Sequence, residues 1–180
     1  MDLATKKWSE FSLLEVFETI QRGKRLKKDD HLEGSIPYAS STSLNNGIDG
    51  FIGNTQNVRT FCDCLTIANS GSVGSTFYQP FTVIASDHVT KLQSKKFNKY
   101  VYLFLATVVS RISAKYSFNR EINDLRIKKE KVLLPVTNEG QPDYAFMESF
   151  MRKKEKELLS RYNKYISLKI NNIELGGGKS

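Results

Sequence analysis

The C-terminal part of the chain constrains the fold most, because residues 143–175 contain neither glycine nor proline. Apolar side chains recur there at steps of three and four, which is the spacing of one face of an α-helix. A continuous helix of this length would be roughly 50 Å long at about 1.5 Å per residue. A small domain cannot cover such a helix along its whole length. We therefore predict that part of its apolar face binds a second copy of the chain, through Leu158, Leu159, Tyr162, Ile166, Ile170 and Ile173.

The residues before this helix predict a small mixed α/β domain with short strands, which is an α+β fold. An apolar stripe over 98–112, with Asn98 as the N-cap, predicts a core helix. β-branched and aromatic residues favour strands at 65–68, 81–86 and 131–136. The expected organisation is a domain over residues 1–136, a linker over 137–142, a long helix over 143–175 and a flexible tail over 176–180.

The charge balance favours a polyanionic partner. The chain carries 27 Lys and Arg against 19 Asp and Glu, a net charge of +8. Nucleic acid is the first candidate and an acidic membrane surface the second, while a basic protein without such a partner stays an open alternative. The longest apolar run, 100–109, is too short to span a bilayer. Two cysteines without a disulfide framework, and an N-terminus without an apolar signal core, predict a cytoplasmic protein.

Catalytic motifs are not matched by the sequence. The final "GGGKS" resembles a phosphate loop, but Ile173 stands where that motif needs its first glycine. Residues 69–75 do not form a Gly-x-Ser-x-Gly elbow, and Pro142-Asp143 lacks a following Glu-x-Lys. The pair Asp87-His88 is more typical of a surface hydrogen bond than of a catalytic site. We predict a chain that is not an enzyme and holds no metal and no cofactor. A nuclease with an unrecognised site is an alternative that would need clustered acidic ligands.

Two polar loops and two basic segments are the candidate DNA-binding features. The loops over 39–50 and 68–75 carry amides and hydroxyls that can read base edges, although the same residues are ordinary turn formers. The basic side chains of 21–28 and 111–131 can neutralise phosphates, although a solvated basic face has the same composition. The candidate DNA-binding residues are Lys24, Arg25, Ser41, Thr42, Asn45, Asn46, Asn69, Ser70, Ser72, Lys115, Tyr116, Asn119, Arg120 and Lys128.

A family resemblance is carried by segments that follow one another from about residue 8 to about residue 150. They include "FETIQRGKRLKKDD", "GSIPYASST", "NNGIDGFI", "LTIANSGSVG", "FYQPFTVIASDHV", "KYSFNREIN" and "LLPV". Together they resemble a target recognition domain of the DNA-specificity subunit of type I restriction-modification systems and related fused type II enzymes. The order of the segments makes this resemblance more specific than any single motif.

The resemblance implies a non-catalytic component that reads double-stranded DNA for two kinds of partner. Methyltransferase (modification) subunits would methylate adenine with S-adenosylmethionine, and a restriction subunit with ATP and Mg²⁺ would cut unmodified DNA. In that family the domain and its long helix occur twice, and the two helices pack antiparallel. This sequence has one such unit and no internal repeat. We therefore expect a half-subunit that forms a homodimer through an antiparallel coiled coil and directs its partners to a bipartite target.

A free-standing basic DNA-binding regulator without a methyltransferase partner is the alternative function. Such a regulator needs a recognition helix with exposed side chains that reach bases, and the predicted helix over 98–112 is too apolar for that role. DNA binding without a methyltransferase partner would favour the regulator.

Overall fold

The computed structural model describes residues 2–116 and 120–176, with side chains as far as residue 170. The described residues form four α-helices, which are α1 (Leu13–Val16), α2 (Lys99–Ser110), α3 (Asp124–Lys129) and α4 (Tyr144–Gly176). They also form ten strands: β1 (Trp8–Ser12), β2 (Thr19–Arg22), β3 (Ile36–Ala39), β4 (Ile48–Ile52), β5 (Thr60–Phe61), β6 (Cys64–Ala68), β7 (Thr76–Gln79), β8 (Val83–Ala85), β9 (Val89–Gln93) and β10 (Lys131–Pro135). The predicted α+β fold with short strands is confirmed.

Within the described residues, the strands form two four-stranded sheets and one two-stranded ribbon. The first sheet has the order β2-β9-β6-β7 and is antiparallel throughout. The second has the order β4-β3-β8-β5, in which β3 and β8 run parallel. Within the described residues, strand β10 pairs with β1 alone, and such an edge position suits Pro135 because proline cannot donate to a ladder.

Helix α2 packs on the first sheet and forms the centre of the main core. The side chain of Asn98 caps it by accepting hydrogen bonds from the amides of Tyr100 and Val101, at 3.0 and 3.2 Å. The helix buries its apolar stripe against Leu65, Ile67 and Leu92 of the sheet. Each large apolar side chain buried in this way stabilises the fold by roughly 1.5–3 kcal/mol.

Helix α4 is the predicted long helix, and among the side chains that the structure describes, its contacts with the domain come from residues 144–155. Asp143 caps it by accepting a hydrogen bond from the Phe146 amide at 2.9 Å. Met147 is fully buried, and the ring of Phe150 packs edge-on against Phe104 of α2 with centroids 6.0 Å apart. Beyond Glu155 the helix leaves the domain.

The Glu155 carboxylate joins α4 to the start of α2. It accepts hydrogen bonds from Lys99 Nζ at 2.9 Å and from the Tyr100 hydroxyl at 2.7 Å. These two bonds hold the pKa of Glu155 below its usual value, and the guanidinium of Arg152 lies over the Tyr100 ring at 4.1 Å. These contacts therefore fix the direction in which the rest of α4 extends. None of the described helices is long and apolar enough to cross a membrane.

Candidate nucleic-acid interface

The sheet topology brings five chain segments to one edge of the domain. In the antiparallel order β2-β9-β6-β7, the end of β2, the start of β9, the end of β6 and the start of β7 all lie on the same side. In the other sheet, the end of β3, the start of β4 and the end of β8 likewise share one side. We call the combined surface the loop edge, and it comprises residues 23–25, 40–47, 69–75, 86–88 and 120–123.

Backbone hydrogen bonds centred on the segment 69–75 tie the loop edge together. The Ser72 amide donates to the Ser41 carbonyl at 3.0 Å, so the two polar loops touch. The Asn69 amide donates to the His88 carbonyl at 2.7 Å, and the Ile122 amide donates to the Asn69 carbonyl at 2.9 Å. The loops are thus a single connected surface and not independent turns.

Two further backbone bonds hold this edge together, the first within the second sheet and the second between the two sheets. The Ser86 amide donates to the Ala39 carbonyl at 3.0 Å, and the Lys24 amide donates to the Ala85 carbonyl at 2.9 Å. The basic pair Lys24 and Arg25 is exposed directly beside the polar loops. Cationic and neutral hydrogen-bonding groups therefore share one face, as backbone and base contacts to DNA require.

Glycines in the segment 69–75 allow its close packing. Gly74 has φ +85°, and a side chain there would place its Cβ 2.5 Å from the Cβ of Ser113. Gly71 has φ +57°, and its Cβ would lie 2.9 Å from the Ser41 carbonyl oxygen. Other residues would strain the backbone and separate the loops. These two glycines have a structural role that accounts for the Gly/Ser composition of the segment.

Asn45 and Asn46 are the amide side chains that the loop 40–47 exposes. Both adopt left-handed backbone conformations, with φ of +47° and +55°, which asparagine tolerates better than most residues. The Asn46 carbonyl accepts a hydrogen bond from Gln79 Nε2 at 2.9 Å, and Thr42 Oγ1 accepts one from the Leu44 amide at 3.1 Å. The backbone of the loop is therefore fixed by hydrogen bonds from β7 and from its own residues, while its two side-chain amides are exposed to solvent.

Two predicted DNA-binding residues, Asn69 and Ser70, lie inside the fold. Asn69 is 1% exposed, and its Oδ1 accepts a hydrogen bond from Thr90 Oγ1 at 2.9 Å. Ser70 is 7% exposed, and its hydroxyl lies 2.7 Å from Nδ1 of His88. A direct base contact needs an accessible side chain, and these two are buried. Their hydrogen-bonding groups hold neighbouring strands and side chains, so we remove both from the set of direct base contacts.

The basic segment 111–131 divides into paired and exposed residues. Lys115 Nζ and the Tyr116 hydroxyl both donate to Glu130, at 2.9 and 2.7 Å. Burial, together with that bond, raises the pKa of Tyr116 to about 12. Arg120 is exposed, with its guanidinium 5.7 Å from the Tyr116 ring, and Lys128 is exposed on α3. Asn119 lies outside the described residues.

Sequence reasoning missed His88 as a part of this surface, since it weighed the pair Asp87-His88 as a surface hydrogen bond or a catalytic site and not as a DNA contact. His88 Nε2 lies 3.9 Å from Asp87 Oδ1, beyond hydrogen-bonding distance. The positions of the two residues next to predicted strands were a usable signal. His88 directly precedes β9 and Ser70 comes two residues after the end of β6, and these strand ends are paired in the sheet. Among the described residues, no three His, Cys, Asp or Glu side chains are grouped closely enough to hold a metal ion.

The free part of α4 exposes the apolar side chains predicted for pairing. Leu158 is 63% exposed and Leu159 is 55% exposed, and Tyr162 and Ile170 are exposed as well. Ile166 is half-buried, and the side chain of Ile173 lies outside the described part. Tyr165 and Leu168 are exposed as well, and Leu168 lies on the opposite side of the helix from Leu159. Pairing itself stays a prediction.

Comparison with known proteins identifies the family. The family model for the type I restriction modification DNA specificity domain matches residues 5–161. The specificity subunit S.BcgI of a type II restriction enzyme from Heyndrickxia coagulans is 37% identical over 156 residues, which is 86% of this chain and 45% of that protein. The chain therefore belongs to the family of type I restriction-modification DNA specificity domains. It spans about half the length of the curated relative that it matches.

Solved structures have the same fold. The S subunit of a type I restriction-modification system from M. genitalium superposes with a TM-score of 0.57 at 20% identity, covering 92% of this chain and 43% of that one. The HsdS subunit from Thermoanaerobacter tengcongensis gives a TM-score of 0.57 at 14% identity, covering 89% of this chain and 40% of that one. A chain from a type I restriction-modification assembly gives 0.60 at 16% identity, covering 97% and 45%.

Proposed function

We propose that this chain is the sequence-reading component of a restriction-modification complex, and that it directs an adenine methyltransferase and a restriction subunit to a bipartite DNA target. The proposal rests on one observation: a chain of the specificity-domain family has the loop edge as an exposed polar and basic surface. Its five segments are connected by hydrogen bonds and combine exposed amides with exposed cations. Such a surface suits DNA, since phosphates take the cations and base edges take the amides.

The proposal assigns DNA recognition to this chain, and methylation and cleavage to its partners. This chain binds double-stranded DNA and carries out no chemistry. Methyltransferase subunits supply S-adenosylmethionine and the methyl transfer, and the restriction subunit supplies ATP and Mg²⁺ for cleavage. All three act on cellular DNA, so we place the complex in the cytoplasm.

The accessible residues of the loop edge have two proposed roles. Lys24, Arg25 and Arg120 contact phosphates, because they are exposed cations in segments of the loop edge. Neutral side chains of the loops contact bases, namely Ser41, Thr42, Asn45, Asn46 and Ser72. Lys128 on α3 is a further phosphate contact at the rim. Lys115 and Tyr116 keep a smaller role, since both are engaged by Glu130.

Two copies of the chain are proposed to pair through α4. The domain over residues 1–136 and the linker over 137–142 would then lie at each end of an antiparallel pair of helices, followed by the tail over 176–180. Support comes from the large apolar side chains that α4 exposes beyond Glu155. Leaving each of them in water forgoes roughly 1.5–3 kcal/mol. A two-fold dimer presents two identical reading surfaces, so its target is two inverted copies of one short sequence.

Co-expression with the modification subunit tests the function. Methylated adenine, mapped across the genome of the host cell, should fall within one recurring motif only when both chains are present. A variant chain with Asn45→Gly keeps the left-handed backbone and removes one exposed amide that is proposed to contact a base, so it should relax the motif. DNA binding by the chain with no motif-dependent methylation would favour the free-standing regulator instead and would contradict the proposal.

A further inference from the structure

His88 lies in the loop edge, next to Asn69 of the segment 69–75, which in turn contacts the segment 120–123. Its carbonyl accepts the Asn69 amide, and the Asn69 carbonyl in turn accepts the Ile122 amide. The imidazole side chain is 56% exposed, although its backbone is held on both sides. A planar ring with two hydrogen-bonding nitrogens thus projects from a rigid part of the surface.

One nitrogen of this ring is already occupied within the protein. The Ser70 hydroxyl lies 2.7 Å from Nδ1, and Ser70 itself is 7% exposed and fixed in the loop. Among the described residues this is the only hydrogen bond of the Ser70 hydroxyl. We assign Ser70 as the donor, because a buried hydroxyl whose proton found no acceptor would be costly. Nδ1 is then the acceptor, and the proton of the neutral ring is on Nε2.

The second nitrogen, Nε2, is therefore a donor on an imidazole that is 56% exposed. The carboxylate of Asp87, 3.9 Å from Nε2, is too distant to accept a hydrogen bond from that nitrogen. Because Ser70 restricts the rotation of the ring before DNA arrives, less side-chain entropy is lost on binding. A fixed donor on a reading surface is suited to an acceptor on a base edge. Purines present N7, and guanine also O6, in the major groove.

We propose that His88 is a specificity-determining residue that donates from Nε2 to a purine acceptor in the major groove, and that Ser70 is its positioning residue. The proposal rests on the function proposed above and extends it to one base position in each half-site. Ser70 can contribute to DNA recognition although it is buried, because its hydroxyl orients the His88 ring that contacts the base. Asp87, His88 and Ser70 do not form a hydrolytic triad, since the serine is buried and bound to the nitrogen that a triad reserves for its carboxylate.

The test compares methylation motifs and DNA affinities of three variants in the complex with the modification subunit. His88→Ala should remove the purine preference at one motif position and weaken binding to the specific site about tenfold, while binding to random DNA stays unchanged. His88→Gln, whose amide nitrogen can take the place of Nε2, should keep part of that preference. Ser70→Ala should relax the same position with a smaller loss, about threefold, because the ring is intact but free to turn.

A matched control and two kinds of contradicting outcome distinguish a failure of the role proposed for His88 from a failure of the proposed function of the chain. Lys96→Ala changes an exposed residue beyond the opposite end of β9 and should leave the motif unaltered. Absence of any motif with the unaltered chain contradicts the proposed function. A motif that is present and identical in His88→Ala and His88→Gln overturns the role of His88. Equal losses on specific and random DNA also overturn it, since they indicate a phosphate contact.

Discussion

Asn69 and Asn45 show how identical side chains serve different purposes in this domain. Asn69 is buried, with its Oδ1 bound to Thr90 and its Nδ2 3.4 Å from the Asp87 carbonyl. Asn45 is exposed, in a left-handed turn. The first amide stabilises the connection between β6 and β9, and the second is free to meet a ligand.

Asn69→Ala should lower the free energy of unfolding by about 1–3 kcal/mol, because Thr90 loses a buried hydrogen-bonding partner. Urea denaturation measures the change. Asn45→Gly, the matched control, should stay within about 0.5 kcal/mol of the unaltered chain. Equal stability of the two variants would show that the buried amide does not hold the loop edge.

We predict that Lys24 and Arg25 contribute to the salt dependence of DNA affinity. Replacing both by alanine should weaken binding to every DNA sequence and reduce the slope of log K against log salt concentration by about 0.9 for each phosphate that is no longer neutralised. Fluorescence anisotropy over a salt series measures the slope for specific and random duplexes. Lys96→Ala should leave it unchanged. A double variant that keeps the full slope would remove this pair from the interface.

At the scale of single elements, the capping residue of α4, Asp143, should make the stability of the fold depend on pH. Burial alone would raise the pKa of Asp143, but hydrogen bonds from Lys6 and the Phe146 amide outweigh it, so the pKa lies below its usual value. A carboxylate with a lowered pKa in the folded state stabilises the fold above its unfolded pKa of about 3.9. That stabilisation is lost as the pH falls through the folded value.

Asp143→Ala should therefore cost about 1 kcal/mol of unfolding free energy at pH 7, and the difference from the unaltered chain should shrink as the pH falls below about 4. Thermal unfolding at a series of pH values measures it. Lys6→Ala, which removes the ion pair and leaves the cap bond to Phe146, should show only part of the effect. A difference that is constant from pH 7 to pH 2 would contradict the assigned cause.

Elements whose signals are local could be predicted from the sequence. Helix α2 shows its apolar period and its Asn98 cap within a few residues, and α4 shows its length by the lack of glycine and proline. The convergence of the loops could not be predicted, because it depends on which strand pairs with which, and those partners are far apart in the sequence. The burial of Asn69 and the contact between Ser70 and His88 follow from the same distant pairing.

On the scale of the whole molecule, α4 should make the chain a dimer. Leu159→Asp combined with Ile166→Asp should give a monomer, since charges on the apolar face cannot be buried without partners. Sedimentation velocity distinguishes the two states. Arg161→Gln with Lys164→Gln alters the opposite side of the helix and should leave the dimer intact. A monomeric unaltered chain would refute pairing through α4.

Dimerisation also sets the form of the DNA target. Two identical reading domains at opposite ends of helices roughly 50 Å long would face half-sites about one turn of DNA apart or somewhat more. Genome-wide mapping of methylated adenine, with this chain as the sole specificity component beside its modification subunit, reports that target directly. We expect two inverted copies of one short sequence separated by a fixed gap. An asymmetric motif, with two different half-sites, would contradict a homodimeric reader.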